Sequence, residues 1–138
     1  MKVNFEIEDN YAIAFEGKLI DLHNNFDFVS YEYIRESNQF IITWAKSDGD
    51  WVGENEYNNL QLIHESVNYI NINNKDFTVD LIRDKCLGEI TFFPSIDRET
   101  NNAFIEQKTP IKGDDILYMF TNDDFIRIGC ESIKLICK

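Results

Sequence analysis

The sequence predicts an all-β protein, an antiparallel β-sandwich or partly open barrel built from hairpins with at most one short helix. Two observations carry this: turn signals recur every 8 to 15 residues, and the apolar residues between them almost never repeat at the 3.6-residue helical period. A third is the placing of the Asn-Asn pairs at 24–25, 58–59, 73–74 and 101–102, each between apolar runs. Asparagine tolerates left-handed backbone and bonds to its own chain, so such pairs punctuate turns.

The elements follow in order. In "KVNFEIE" (2–8) Val3, Phe5 and Ile7 share one face and Asn4, Glu6 and Glu8 the other, the period of one half-buried strand. "FDFVSYEYI" (26–34) is rich in aromatic residues, "FIITWA" (40–45) alternates, and "ESNQ" between them reads as a hairpin turn. "LQLIHESVNYINI" (60–72) reads as two strands or one bent strand, and 88–94, 116–120, 125–130 and 133–137 as further strands, with "TNDD" (121–124) a tight hairpin. Residues 76–87 fit either a short helix capped by Asp76 or a strand running into a loop, and their opening Phe, Thr and Val favour the strand. The polar stretch 95–115, with no periodicity, reads as a long irregular loop.

With 138 residues and no break in composition, the chain is expected to form a single domain over 1–138. Its 43% hydrophobic content is enough for a core. No run approaches the roughly 18 apolar residues of a membrane helix, and the opening "MKVNFEIEDN" carries charge where a secretory signal is apolar. Cys86, Cys130 and Cys137 form an odd set without CxxC, and none of the 15 asparagines begins an N-x-[ST] acceptor, which together point to a reduced, cytosolic environment.

The net charge is −12 and uneven: residues 1–69 hold 13 acids and 4 bases, net −9, against 12 and 9, net −3, in residues 70–138. Such a field repels nucleic acid and anionic membrane and attracts a basic protein. The densest acidic stretch is "SDGDWVGENEYNN" (47–59), where Asp48, Asp50, Glu54 and Glu56 surround Trp51 and Tyr57. It lacks the ligand order of a calcium loop, so it reads as a strand connection rather than a metal site. "YEY" adds Tyr31, Glu32 and Tyr33, aromatics interleaved with acid, the wrong sign for a phosphate backbone.

No motif fixes a chemistry. His23 and His64 have no partner at metal-ligand spacing, and there is no G-x-S-x-G, phosphate loop or dinucleotide fingerprint. A Cys-His nucleophile pair would need proximity in space that spacing does not reveal. The expectation is therefore a non-catalytic protein without metal or cofactor. It would present an acidic sheet face, through Asp48, Asp50, Trp51, Glu54, Glu56, Tyr57, Tyr31, Glu32 and Tyr33, to a basic partner, on the logic of immunity-type inhibitors of basic toxins. The alternative is a small-molecule or carbohydrate-binding sandwich with weak hydrolase activity, whose pocket would gather Trp44, Trp51 or Tyr57 with convergent carboxylates.

Overall fold

The computed structural model describes residues 1–73 and 86–138. Its strands are β1 (Lys2–Val3), β2 (Glu6–Glu8), β3 (Ala12–Phe15), β4 (Lys18–Asp21), β5 (Phe26–Ile34), β6 (Gln39–Lys46), β7 (Asn59–Glu65), β8 (Tyr69–Asn73), β9 (Leu87–Pro94), β10 (Asp114–Phe120), β11 (Phe125–Gly129) and β12 (Ser132–Cys137), with one helical turn, α1 (Leu22–Asn25). They form a mixed five-stranded sheet, β1-β12-β7-β6-β5, an antiparallel four-stranded sheet, β8-β11-β10-β9, and an antiparallel three-stranded sheet, β2-β3-β4. The architecture is the expected all-β, sandwich-like one. The helix-or-strand alternatives for 76–87 fall on residues that, up to position 85, lie outside those described, and Leu87 opens β9.

The main core lies between the two larger sheets. Phe40, Ile42, Trp44, Leu60, Leu62, Ile133 and Leu135 of one meet Ile90, Phe92, Ile116, Tyr118, Phe120, Ile126 and Ile128 of the other, and Ile7, Ile13 and Ile20 of the small sheet join the same cluster. Phe120 is stacked on Trp44 at 6.2 Å and meets Phe28 edge-on at 5.2 Å, so three rings from two sheets lock together. Such pairs contribute about 0.5–1.5 kcal/mol each beyond their burial. The Trp44 indole N–H is buried with no hydrogen-bond partner among the described residues, a cost of about 1–3 kcal/mol set against that packing.

Two departures from simple alternation have local causes. The expected strand 2–8 is divided: Asn4 turns out of it, its side chain accepting from Leu135 N at 2.8 Å and donating to Leu135 O at 3.2 Å. The side chain replaces a ladder step, β1 stays with β12, and β2 crosses to the small sheet. In β5 the inward aromatics change parity between Phe28 and Tyr31, and the register shift at Val29 absorbs the change, pairing Phe28 with Trp44 but Ser30 with Thr43. A bulge of this kind lets both halves of an odd-spaced pattern face one core.

The expected loop between β9 and β10 is irregular but firmly attached. It is bonded to Thr91, Asp115 and Arg127 on the second face of the four-stranded sheet, the face on which Leu117, Met119 and Phe125 form their own cluster. Arg127 on that face is fully buried and its guanidinium bonds Asp115 Oδ2 (2.9 Å), Thr100 O (3.0 Å), Asn101 Oδ1 (3.1 Å), Pro94 O (3.0 Å) and Asp97 O (2.9 Å). Every N–H of the side chain is thus used. Arg98, from the loop, completes Asp115 with two bonds of 2.9 Å and lies 3.7 Å over the Tyr69 ring. Farther along, Ile105 is clamped to Thr91 through both backbone groups.

Removing one member of a buried pair leaves the other charge uncompensated. Arg127→Met should lower the unfolding free energy by about 3–5 kcal/mol in urea titration, and Arg127→Lys should rescue little because it lacks the planar fork. A midpoint unchanged in both variants would contradict the role given to this side chain.

Candidate functional site

The connection from β6 to β7, residues 47–58, is built from two tight turns, with Val52 N bonding Gly49 O at 3.2 Å and Glu56 N bonding Gly53 O at 3.3 Å. It is sewn to α1 at its start by Ser47 N to Asn25 O, 2.9 Å. Within it Trp51 is 69% exposed, yet it is not loose: its indole N–H donates to Asn24 O at 2.7 Å. The six-membered ring lies against Gly49, where an added Cβ would fall 2.2 Å from Trp51 Cη2. Gly49 is needed here for space, not for a left-handed turn. Asp48, Asp50 and Glu54 are exposed around the ring.

Glu56 differs from its neighbours. Its side chain is 8% exposed, pairs with Lys18 at 3.1 Å and accepts from Asn25 Nδ2 at 3.3 Å. Lys18 also donates to Asn55 O at 2.7 Å and stands 4.3 Å over the half-buried Tyr57 ring. Glu56, Tyr57 and Lys18 therefore fasten the loop to β4, while Asp48, Asp50, Trp51 and Glu54 form its outward surface.

The other predicted residues lie elsewhere and divide between two faces. Tyr31 stacks on Phe40 at 5.6 Å towards the core, Tyr33 donates to Asn38 Oδ1 at 2.8 Å, and Glu32 points outward opposite Ile41. The outer face of the five-stranded sheet is not uniformly acidic, since Ile41 and Ile63 occupy its middle. Trp44, Trp51 and Tyr57 do not converge either: Trp44 is fully buried in the core.

The histidines illustrate what spacing conceals. His64 is fully buried between the large sheets; its Nδ1–H donates to Phe40 O at 2.7 Å, so Nε2 accepts from the Tyr118 hydroxyl at 2.8 Å. Burial pushes its pKa down to about 4. His23 lies within 3.6 Å of the Cys86 thiol, beside an open cleft of about 580 Å³ whose walls include Tyr11, Glu89 and Phe104. Its Nδ1, however, donates to Leu87 O. That nitrogen has no lone pair for the thiol proton, and the Cys86 S–H instead faces the carbonyls of His23 and Leu87 at 3.6 and 3.7 Å. Burial raises the Cys130 thiol to about 12 and Cys137 to about 11.

Among the described residues no three His, Cys, Asp or Glu side chains are grouped to hold a metal ion, and no helix is long and apolar enough to cross a membrane. Comparison with protein-family models, curated proteins and solved structures finds no match to the chain.

Two outcomes follow from the buried groups. Unfolding exposes His64, whose pKa then returns from about 4 to 6.5, so below 6.5 the unfolded chain binds the proton first. Stability contributed by the neutral ring is present above 6.5 and is lost as pH falls towards 4, by about 3 kcal/mol in all. Urea titrations at several pH values should show this slope, and His64→Gln should flatten it; an equal slope in the variant would assign acid lability to other groups. Alkylation at neutral pH should leave Cys130 unmodified in the native protein and modify it on unfolding. Rapid native labelling of Cys130 would mean that the seam between the sheets opens readily.

Proposed function

We propose that the protein is a non-catalytic binding module that engages a basic protein partner, in the manner of an immunity or inhibitor protein, through the surface centred on Trp51. The supporting observation is the state of that side chain: a large aromatic ring held in solvent by a hydrogen bond and a glycine seat, with three exposed carboxylates around it. A ring already fixed loses little rotamer entropy on binding, and tryptophan is among the residues that dominate interface energies. The carboxylates supply steering, which acts mainly on the association rate.

Charge pairing elsewhere sharpens this surface. Lys18, Arg98, Lys108, Arg127 and Lys134 are each tied to a carboxylate of the chain itself. Asp21, near the loop, caps α1 by accepting from Asn24 N at 2.9 Å. What remains around Trp51 is net negative charge next to one apolar ring, suited to a lysine- or arginine-rich surface.

The experiment is capture of partners at low salt, followed by binding measurements on the basic protein that elutes as salt rises. Trp51→Ala should weaken its binding by about thirtyfold or more, chiefly through faster dissociation, and Gly49→Ala should weaken it by displacing the ring. Replacing Asp48, Asp50 and Glu54 by the corresponding amides should slow association and leave the melting temperature unchanged, since exposed charges add little stability. Glu56 is left intact in that variant because of its pair with Lys18. Binding indifferent to all of these changes would contradict the reading.

A further inference from the structure

The outer face of the five-stranded sheet carries a second pattern. Residues paired across neighbouring antiparallel strands share a face, so the registers Glu32↔Ile41, Ile41↔Ile63 and Ile63↔Lys134 lay these four side chains in one row across β5, β6, β7 and β12. The row beside it reads Ser30, Thr43, Gln61, Ile136. None of these residues is buried; Glu32, Lys134 and Ile136 are exposed and the two central isoleucines are half-buried. The principal row is thus aliphatic in the middle, with a carboxylate at one end and an ammonium at the other.

We propose that this face is self-complementary and that two copies of the chain associate through it about a two-fold axis running parallel to the strands. That rotation lays each row on its counterpart in reverse order. Ile41 of one copy then faces Ile63 of the other, and Lys134 of each faces Glu32 of the other. Complementarity selects the occupant: the Lys134 side chain is 60% exposed and its ammonium is bonded to Glu65 through one of its three N–H groups, which leaves donors for Glu32 of a second copy while isoleucine meets isoleucine. Lys134 already leans on Glu65 at 3.3 Å, which holds its ammonium on this face. The inference is independent of the surface around Trp51, which lies on the β6–β7 connection.

The contact is small. Four strands about 4.8 Å apart and about seven residues long offer roughly 450 Å² per copy, against about 800 Å² per partner in a standard interface. Association should therefore depend on concentration. Each copy also carries a charge of −12, so repulsion weakens the dimer at low ionic strength and is screened beyond about 8 Å at physiological salt.

Sedimentation equilibrium at physiological salt, from micromolar to millimolar protein, tests this directly. The weight-average mass should rise from monomer towards dimer. Glu32→Lys and Lys134→Glu should each weaken association by about tenfold or more, and the two together should restore it by exchanging the ends of the row. Circular dichroism of each variant should match that of the parent, since both positions are exposed. A monomer throughout the range would overturn the proposal, as would a dimer that the single changes leave intact or that the double change fails to restore.

Discussion

Arg127 is the side chain on which the rest of the structure depends. A guanidinium is costly to remove from water, and this one is enclosed completely, so its five N–H groups must each find an acceptor inside the protein. They do so by drawing in Asp115 from the neighbouring strand and four oxygens from residues 94–101. The ion pair thereby fixes a chain segment with no regular hydrogen bonding of its own over the second face of the four-stranded sheet. β10 is buried on both sides, in keeping with the unbroken apolar run from Ile116 to Phe120 in place of an alternating one. Gly129 belongs to the same arrangement, since a Cβ there would fall 2.7 Å from Asp115 Oδ1.

The double-layered body anchors the loop around Trp51. The loop does not belong to the core, but each of its ends is tied to it: Ser47 to Asn25, Glu56 to Lys18, and Asn58 to Lys138 O at 2.8 Å. The ring it carries can stay exposed because the surrounding bonds are already made. On the proposed reading, stability would lie in the sheets and recognition on a short connection, where binding residues are often found.

Much of the fold was legible in the sequence, because strands covered on one face must alternate. The segments 26–34, 40–45, 88–94, 116–120, 125–130 and 133–137 all fall within or on strands, and the turns at 36–39 and 121–124 join neighbours in the sheets. The hairpins of β2, β3 and β4 went unread, although Asp9-Asn10 and Glu16-Gly17 supply the successive positive φ angles that such turns require (50° and 59°, 49° and 78°). The division at Asn4 could not be read from periodicity, since it depends on contacts with Leu135 at the far end of the chain, and the bulge at Val29 shows only in the register of β5 against β6. For the site, clustering of acids around Trp51 was visible, but the structural duty of Glu56 and Tyr57 was not, because Lys18 is 38 residues away from Glu56 in sequence. Nor could alternation reveal that Glu32 shares a row with Lys134, since that follows only from the order of four strands.

The central claim is that the acidic surface around Trp51 recognises a basic protein and does not serve solubility alone. Its most direct test is the association rate constant with the captured partner, measured by stopped flow on Trp51 fluorescence over a series of ionic strengths in a Trp44→Phe background. The account predicts a rate that falls steeply as salt rises, with a change in Trp51 emission on binding as the ring leaves water. A rate independent of salt, with Trp51 emission unchanged in the complex, would contradict it.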